Sequence, residues 1–384
     1  MARRQGPLAG LRVVELAGIG AAPFGAMLLA DLGADVVRID RTPGETNPLG
    51  EVLGRGRRSI ALDLKHRAGV EVVVRLVEKA DALIEGFRPG VMERLGLGPD
   101  VCLARNERLV YGRMTGWGQD GPLARQAGHD IDYIAVSGAL GAIGRRGESP
   151  VPPLNLVGDF GGGGMLLAFG IVSAVLESRS SGRGQVVDAA MVDGSALLLT
   201  MVYEARNLGL WSLERGTNLL DGGAPFYDVY ATSDGGAMAV GCLEPAFYAE
   251  LLRVLELDRP ELRDHTDPAR WPDIRAALTE VFASRTRAEW EKAFTGSDAC
   301  VAPVLDLDEA RSHPHGRARQ AFYETGAGRV PMPAPRFDRT PPAVPGPASR
   351  TGADTRTALG DWGFAAEEIE ALCDAGVAYA AAAE

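Results

Sequence analysis

Cysteine, lysine and long hydrophobic runs are all scarce in this chain of 384 residues. The four cysteines form no CxxC pair and no zinc-type spacing, and the basic start leads into no apolar segment of the secretory kind. We therefore expect a reducing cytosol rather than a disulfide framework. Three lysines against 37 arginines suggest a GC-rich bacterial genome. The most apolar stretch, residues 165–176, is too short to span the ~30 Å core of a bilayer.

Several common catalytic motifs are also missing. The chain has no P-loop, HExxH, EF-hand loop or GxSxG elbow, which disfavours nucleotide hydrolysis, zinc hydrolysis and serine-esterase chemistry. Gly18 and Gly20 follow a predicted strand, with Asp40 about twenty residues on, as in a dinucleotide fingerprint. Pro23 stands where the third glycine belongs, so a tight turn is favoured over a nicotinamide oxidoreductase.

Charge is unevenly distributed along the chain. The net charge of −11 argues against a nucleic-acid partner. Residues 1–100 hold 14 Lys+Arg and 13 Asp+Glu, a net +1, so the remainder carries 26 against 38, a net −12. A cluster in this first part is either a solvated surface or a landing site for a polyanionic small molecule. Its members are Arg55, Arg57, Arg58 and Lys65.

The first half alternates buried-strand patterns with amphipathic-helix patterns. This alternation predicts an α/β fold with a Rossmann-like, doubly wound parallel sheet. The predicted strands cover residues 11–16, 35–40, 59–64, 81–87, 109–115 and 185–189, and the predicted helices cover 23–32, 66–79, 165–178 and 193–208.

The second half predicts a smaller α+β domain, from paired strands within 226–243 and helical patterns within 247–295. Seven prolines from Pro331 to Pro347 cannot continue a helix or a central strand, so we expect an extended connector before a last helix over 365–375. The expected parts are a large α/β domain (1–200), a connecting helix and linker (201–224), a small α+β domain (225–325), and a proline-rich return segment with a C-terminal helix that packs on the large domain (326–384).

Three ionisable residues stand beside flexible or apolar sequence. His129 precedes Asp130, Asp159 lies just before Gly161–Gly164, and Glu244 sits between leucine and proline. Two bases that face each other across a bound molecule are what moving a proton between the faces of one carbon requires. Backbone N–H groups around Gly161–Gly164 are the expected donors to the resulting oxyanion.

Each of these residues also has a purely structural interpretation. A lone histidine is more often structural, Asp159 could cap a helix, and Glu244 could lie on the surface. We expect apolar surroundings to raise the pKa of Asp159. His313 and His315 resemble a metal pair only superficially, and we interpret them as structural.

Three longer segments resemble the family III CoA-transferase superfamily: residues 7–16, 30–41 and 85–96. Three shorter ones, 127–130, 158–163 and 241–245, are similar to its racemase branch. Transferases usually show Gly-Tyr-Asp where this chain has Gly-His-Asp at 128–130. The opening loop departs slightly, because Ala21-Ala22-Pro23 stands where the family commonly has Pro-Gly-Pro.

The resemblance implies a racemase that interconverts (2R)- and (2S)-2-methylacyl-CoA thioesters by proton transfer through an enolate. His129 and Asp159 would be the two bases, and Glu244 would pair with or orient His129. Coenzyme A would be part of the substrate, and no metal or redox cofactor is implied. The resemblance also implies an interlocked homodimer, in which the small domain of one subunit completes the site on the other. The residues implied to bind CoA are Arg41, Lys65, Arg88 and Arg94, on its phosphate or adenine side, and Ile19, Leu62 and Tyr133.

Two other functions stay open at the sequence level. A family III CoA-transferase would use Asp159 as the nucleophile that accepts the acyl group, with His129 and Glu244 as bystanders. A non-catalytic CoA-binding protein would bind thioesters without exchanging the α-proton. For the racemase, a branched fatty acid, a sterol side chain and a short 2-methyl acid all carry the reacting carbon.

Overall fold

The computed structural model describes residues 5–41, 53–326 and 328–381. Two compact units make up this part of the chain. The first unit takes Met1–Ala139, Leu154–Leu199 and Phe322–Glu384, and the second takes Leu140–Pro153 and Thr200–Ala321.

Strands and helices alternate through most of the first unit. The strands are β1 (Arg12–Leu16), β2 (Asp35–Arg41), β3 (Arg58–Leu62), β4 (Ala82–Glu85), β5 (Val110–Thr115), β6 (Gln185–Ala190), β7 (Tyr227–Ala231), β8 (Ala237–Gly241), β9 (Val301–Pro303), β10 (Phe322–Thr325), β11 (Gly328–Pro331) and β12 (Ala378–Tyr379). The α-helices are α1 (Ala21–Asp31), α2 (Arg67–Val77), α3 (Val91–Arg94), α4 (Pro99–Arg105), α5 (Asp130–Val136), α6 (Ala139–Ala142), α7 (Leu166–Ser181), α8 (Met191–Leu198), α9 (Thr200–Asn207), α10 (Pro245–Val254), α11 (Trp271–Phe282), α12 (Arg287–Phe294), α13 (Leu307–Ser312), α14 (Pro314–Ala318), α15 (Thr355–Asp361) and α16 (Ala366–Asp374). A π-helix covers Leu156–Met165, and 3₁₀ turns cover Pro260–Leu262 and Pro268–Arg270.

A seven-stranded sheet in the order β12-β3-β2-β1-β4-β5-β6 forms the centre of the first unit. Strands β1 to β6 pair in parallel, and only the C-terminal β12 runs antiparallel, against β3. Helical crossovers such as α1 and α2 join successive parallel strands, as such a sheet requires. The predicted α/β class and doubly wound parallel sheet are confirmed.

Both faces of this sheet are covered, which explains why its strands read as continuous apolar runs. Val13 and Val14 are fully buried, yet they point to opposite faces and belong to separate hydrophobic clusters. On one face, Val14 packs with the valines of α2 and with Trp362. On the other, Val13 packs with α1 and with Leu167 and Ile171 of α7.

The helix that carries Asp159 begins earlier than predicted. The sequence pattern places its start near residue 165, but Leu156–Met165 already forms a π-helix that continues directly into α7. By length and composition, Leu156–Ser181 could cross a membrane, with 44% of its most apolar window buried in the protein. Its buried residues, such as Leu167 and Ile171, pack against α1 and the sheet, as those of a core helix do.

Glycines in the π-helix allow its neighbours to approach closely. A Cβ atom on Gly162 would lie 2.6 Å from the backbone nitrogen of Ser195 in α8. A Cβ atom on Gly164 would lie 2.5 Å from the carbonyl oxygen of Ala21 in α1. Because residues 161–164 lie inside the helix, their N–H groups bond to carbonyls five residues earlier. The prediction that these N–H groups serve as oxyanion donors was therefore wrong, and this part of the sequence serves helix packing.

The second unit is built on the antiparallel sheet β7-β8-β9. Tyr230 and Met238 point into a core formed with α10, α11 and α12, whereas the alternate residues Tyr227 and Val229 are exposed. Residues 140–153 belong to this unit rather than to the large domain, where the sequence pattern placed them. An ion pair of 2.6 Å between Arg145 Nη1 and Asp228 Oδ1 helps to hold this segment on the second unit.

The chain then returns to the first unit. After the hairpin β10-β11, residues 332–347 form neither helix nor strand. Two helices that follow, α15 and α16, complete the core on one face through Leu359, Trp362 and Ile369. Of these elements, α15, β12 and the hairpin were not predicted from the sequence.

Candidate active site

A cavity of about 550 Å³ opens at the carboxyl ends of β1, β4 and β5. Strand order reverses between β1 and β4, and ligands of open α/β sheets bind at such a reversal. Residues that directly follow these strands form its walls: Ile19 and Gly20, then Gly86 to Pro89, then Gly116 and Trp117. His129, Tyr133 and Asp159 line the same cavity. Five predicted site residues are thus brought together in the first unit: Ile19, Arg88, His129, Tyr133 and Asp159.

Asp159 lies in the first turn of the π-helix and is partly buried. Its backbone N–H donates to Asp130 Oδ1 at 2.7 Å, and its Oδ2 accepts from Asn155 Nδ2 at 3.2 Å. Burial raises the pKa of Asp159 above its ordinary value, as expected. The hydrogen bond from Asn155 opposes this, the nearby charge of Asp130 adds to it, and the charge of His129 opposes it. Asp159 is therefore a fixed carboxyl group that is easier to protonate than an ordinary aspartate.

His129 occupies the N-cap position of α5. Its backbone N–H donates to Asp132 Oδ2 at 2.9 Å, which fixes the main chain at the helix start. The side chain is exposed at the cavity. It is close enough to Asp159 for its charge to affect that carboxyl group. The imidazole and the carboxyl group thus share one cavity.

Aromatic rings form the wall beside His129. Tyr133 is 7% exposed, its hydroxyl donates to the carbonyl oxygen of Gly128, and its ring meets Trp117 edge to face at 4.8 Å. A Cβ atom on Gly116 would lie 2.1 Å from the Tyr133 ring, so only glycine fits there. Burial raises the pKa of Tyr133, and the charge of Asp159 adds to this effect. Tyr133 is thus a neutral, fixed wall at neutral pH.

Three of the four cationic residues predicted to bind CoA lie at the ends of parallel strands or just after them. Arg41 ends β2, Lys65 follows β3, and Arg88 follows β4, all at the same edge of the sheet as the cavity. These three and Arg94 are exposed, and none forms an ion pair within the described residues. Only Arg88 lines the cavity itself. The row as a whole could meet an extended polyanion.

Leu62 does not line the cavity as predicted. It pairs in register with Arg41, but its side chain is 1% exposed and packs in the core. The end of β3 turns this side chain towards the α2 face of the sheet, so only its backbone is left for a ligand.

The arginine cluster noted in the sequence is occupied by carboxylates. Arg55 pairs with Asp31 at 2.5 Å, Arg58 pairs with Asp35 at 2.5 Å, and Arg57 pairs with the fully buried Glu15. These guanidinium groups stabilise the fold of the first unit. The alternative that they form a polyanion landing site is wrong for these three, and Lys65 alone of the cluster lacks an ion pair within the described segments.

Glu244 belongs to the second unit. It occupies the N-cap position of α10, ahead of Pro245, and its side chain is exposed. Its carboxylate makes no hydrogen bond to the described residues. Cys300 lies near enough for the charge of Glu244 to contribute to the raised pKa of that thiol, after the larger effect of burial.

Sequence reasoning missed Asn155 and the contact that Asp130 makes. Asn155 precedes Asp159 by four residues, the spacing that places two side chains on one helical face, and this was the available signal. Asp130 was noted only as a charge beside His129, but it holds the backbone of Asp159 across 29 positions of sequence. No local pattern reveals that contact.

No group of three or more metal-binding side chains occurs within residues 5–41, 53–326 and 328–381. His313 Nε2 lies 3.4 Å from Glu291 Oε1, and His313 Nδ1 accepts the backbone N–H of His315 at 3.3 Å. His313 thus caps α14, a structural role.

Comparison with known proteins places this geometry in a family. The sequence model of CoA-transferase family III matches residues 8–355. The chain is 50% identical to the alpha-methylacyl-CoA racemase of Mus musculus, over 94% of this chain and 95% of that protein. It is 47% identical to the alpha-methylacyl-CoA racemase of Homo sapiens, over 95% and 96%. A solved CAIB/BAIF family protein from Brucella suis aligns with a TM-score of 0.78 and 25% identity, over 94% of this chain and 100% of that one.

These matches confirm the resemblance inferred from the sequence. The family match spans the parallel sheet, the cavity residues and the whole second unit. The chain belongs to CoA-transferase family III.

Proposed function

We propose that the protein is an enzyme that interconverts (2R)- and (2S)-2-methylacyl-CoA thioesters by moving the α-proton through an enolate. The single observation that carries this proposal is the placement of His129 and Asp159 on one cavity at the reversal of strand order. Racemisation needs two groups that can each give and take a proton at one carbon. An ordinary imidazole has this property near neutral pH, and the raised pKa of Asp159 makes its carboxyl group easier to protonate than an ordinary one.

The proposed reaction starts with neutral His129 and protonated Asp159. The imidazole takes the α-proton from one enantiomer, the thioester carbonyl takes up the charge, and Asp159 returns a proton to the opposite face. The other enantiomer reacts with the two protonation states reversed. Free imidazole and carboxylate side chains, with pKa values of about 6.5 and 3.9, are weak bases compared with a thioester enolate, so the enolate needs stabilisation at its oxygen. The helix that starts at Leu156 directs the positive end of its dipole towards this wall of the cavity.

Coenzyme A enters this proposal as part of the substrate, and no metal or redox cofactor takes part. We place its phosphates against Arg41, Lys65, Arg88 and Arg94. In support, three of these cations follow strands at the edge of the sheet where the cavity opens, and none of the four forms an ion pair within the described chain. Ile19, 57% exposed beside Gly20, would contact the same ligand. Tyr133 would form the wall near the acyl group.

We also propose an interlocked homodimer, in which Glu244 of one subunit orients His129 of the other. Apolar surface on both units supports an obligate partner. In the first unit, Met165, Phe169 and Leu176 are 56%, 70% and 71% exposed along one face of the helix. In the second, Leu210 and Leu213 are 76% and 79% exposed. The assembled enzyme is assigned to the cytoplasm.

Subunit mixing tests this arrangement. Co-expression of differently tagged His129→Ala and Glu244→Ala chains yields heterodimers. If Glu244 acts on the partner, one of the two sites combines both intact residues, and purified heterodimers keep about half the wild-type rate per dimer. If Glu244 acts within its own chain, the heterodimers are as inactive as each parent variant.

The reaction itself is tested by α-proton exchange in D₂O, with single-enantiomer 2-methylacyl-CoA thioesters that carry branched fatty, sterol-type and short acyl chains. The wild type should incorporate deuterium from either enantiomer and invert it. His129→Ala should stop racemisation but still bind thioesters, whereas His315→Ala, a change at an exposed histidine, should leave both intact. Full deuterium incorporation with inversion by His129→Ala would refute the assignment.

A CoA-transferase is the second candidate, because family III contains such enzymes and Asp159 is accessible from the cavity. In that reaction the carboxylate of Asp159 attacks the thioester carbonyl, CoA leaves as the thiolate, and a mixed anhydride forms. Hydroxylamine would trap this anhydride, and CoA would exchange between two acids. A racemase gives neither result.

A further inference from the structure

The second unit holds a buried histidine to which the proposed reaction gives no task. His265 is 3% exposed, and its Nε2 lies 3.1 Å from the carbonyl oxygen of Leu243. A carbonyl oxygen only accepts, so Nε2 carries the proton of this hydrogen bond. The carbonyl belongs to the peptide group that joins Leu243 to Glu244. His265 therefore holds the backbone directly ahead of the carboxylate that is proposed to orient His129.

The ring of His265 is itself fixed on several sides. It stacks on Tyr248 with ring centres 4.2 Å apart and meets Phe226 edge to face at 4.7 Å. The backbone carbonyl oxygen of His265 accepts a hydrogen bond from the Trp271 indole N–H at 3.0 Å. Tyr248, 1% exposed, is held in turn by a hydrogen bond from its hydroxyl to the carbonyl oxygen of Leu262 at 2.8 Å. The imidazole is thus a rigid support.

Glu244, in contrast, has no support of its own. Its side chain is exposed and makes no hydrogen bond within the described residues. The direction of its carboxylate is therefore set by its backbone, which has two attachments. Its carbonyl oxygen accepts the N–H of Tyr248 in the first turn of α10 at 3.0 Å. The peptide group on its other side is held by His265. Loss of the second attachment frees that peptide group to rotate and turns the carboxylate with it.

We propose that His265 is a positioning residue for Glu244. Its Nε2–H bond to the Leu243 carbonyl fixes the peptide plane that aims the Glu244 carboxylate. The inference rests on the proposed function, because Glu244 matters only if it orients the histidine base. His265 acts through Glu244 and does not touch the substrate.

The test compares His265→Leu with His265→Gln, whose amide N–H can replace Nε2–H. The Leu variant should lower kcat by about 10- to 100-fold, the usual result of misplacing a catalytic group by about 1 Å. KM for a 2-methylacyl-CoA should change by less than about twofold, because the cavity lies in the first unit. His265→Gln should recover most of kcat. Tyr248→Phe is the matched control: it removes a buried hydrogen bond of the same cluster but leaves the Leu243 carbonyl bonded, so kcat should stay near the wild-type value.

A double-variant cycle separates positioning from simple structural damage. In a Glu244→Gln background, His265→Leu should cause no further loss of kcat, because there is no carboxylate left to aim. Losses that multiply in the double variant, or a KM that rises as kcat falls, would overturn the proposal. If His265→Leu does not fold, as judged by circular dichroism and Tm, His265→Asn replaces it. The Asn amide overlies Nδ1 and is too short to reach Leu243, so a kcat for Asn equal to that for Gln would also overturn it.

Failure of this inference is distinguishable from failure of the proposed function. If the wild-type protein exchanges no α-proton, the racemase proposal itself is wrong. If the wild type racemises and only the predicted coupling between His265 and Glu244 is missing, the reaction stands and the positioning role falls.

Discussion

Two segments of the first unit carry the proposed bases, and they hold them in different ways. Asp159 lies inside a helical turn and is partly buried, its backbone N–H donates one hydrogen bond, and its carboxylate accepts another. His129 stands at the start of α5, where its backbone N–H and carbonyl groups are hydrogen-bonded and its ring is exposed. One base is fixed by its surroundings. The other is placed by the backbone at the helix start, and Glu244 is its proposed partner.

The difference bears on how one site can serve both enantiomers. An ordinary aspartate is a much weaker base than histidine, with pKa values of about 3.9 and 6.5. Burial raises the pKa of Asp159 and so narrows this gap. Bases of more similar strength suit a reaction that must run in both directions. In the proposed reaction, burial raises the pKa of Asp159, and Glu244 of the partner subunit orients His129. The two bases that act on one carbon would thus be positioned by different means.

The largest expected effect comes from removing each base in turn. We predict that His129→Gln and Asp159→Asn each lower the racemisation rate by about 10²–10⁴-fold, the contribution of a positioned general base. The remaining base should still exchange the proton of its own enantiomer with solvent and return it to the same face. Deuterium incorporation by mass spectrometry, with chiral analysis of the product, should therefore show opposite enantiomer preferences for the two variants. Loss of exchange from the same enantiomer in both would contradict the two-base arrangement.

A smaller effect on the exchange rate should follow from displacing the Asp159 side chain without removing it. Gly20 has a φ of 72°, and a Cβ atom there would lie 3.2 Å from Asp159 Oδ2. We predict that Gly20→Ala lowers exchange by up to about 10²-fold, and only for the enantiomer served by Asp159, because misplacement by about 1 Å has this effect. Gly10→Ala is the matched control, since Gly10 also has a positive φ, 94°, but nothing within 4 Å of the added Cβ. Equal effects of both changes would mean that backbone strain, not contact with Asp159, causes the loss.

The sequence predicted the fold better than it predicted the contacts of the two bases. The continuous apolar runs of β1 to β5, which alternate with helical patterns, are local features, and they indicated the parallel sheet because strands covered on both faces occur in few other arrangements. Asp159 and His129 were also found, through their neighbours and through the family resemblance. The contact between Asp130 and the Asp159 backbone, and the close packing of Gly162 on α8, depend on how distant segments meet, so no local pattern predicts them.

The wrong predictions have a common physical cause. The backbone N–H groups of Gly161–Gly164 and the guanidinium groups of the arginines at 55, 57 and 58 are both suited to anion binding. The sequence does not show whether such a group already has a hydrogen-bond or ion-pair partner within the protein. In the structure, the glycine N–H groups bond within the helix and the arginines bond to carboxylates. The side chain of Leu62 lies in the core because the face to which a strand residue points changes with every position, so its predicted part in CoA binding could involve only its backbone.

The hydrogen bond from Asn155 should affect pH dependence more than rate. It stabilises the ionised form of Asp159 and so opposes the rise in pKa that burial causes. Asn155→Ala removes this hydrogen bond, so the pKa of Asp159 should rise further. For the enantiomer that ionised Asp159 deprotonates, the acidic limb of the profile of kcat/KM against pH should therefore move to higher pH. The limb for the other enantiomer should move less. Leu156→Ala, at an exposed neighbouring position, should move neither, and an unshifted limb in Asn155→Ala would show that this hydrogen bond does not tune the base.

The smallest effect concerns stability. Because the pKa of Asp159 is raised in the folded protein, stability is lost as the pH rises from the ordinary pKa of Asp through the raised one, and ionisation of the carboxyl group opposes folding fully above both. Asp159→Asn should therefore raise Tm at pH 7–8, by no more than about 2 °C in a chain of this size. The gain should shrink to nothing as the pH falls below the ordinary pKa of Asp, where the wild-type carboxyl group is neutral in both states.

Asp228 of the second unit provides a control of opposite sign for this measurement. Burial alone would raise the pKa of Asp228, but hydrogen bonds from Arg145 and Arg275 lower it overall. Its ionised form therefore stabilises the fold at neutral pH, and this contribution is lost as the pH falls through the lowered pKa. Asp228→Asn should lower Tm at pH 7–8, by an amount that diminishes in acid. Calorimetric scans of both variants from pH 3 to pH 8 would thus distinguish a carboxylate kept for reactivity from one kept for structure, and a fall in Tm for Asp159→Asn at neutral pH would place Asp159 in the second class.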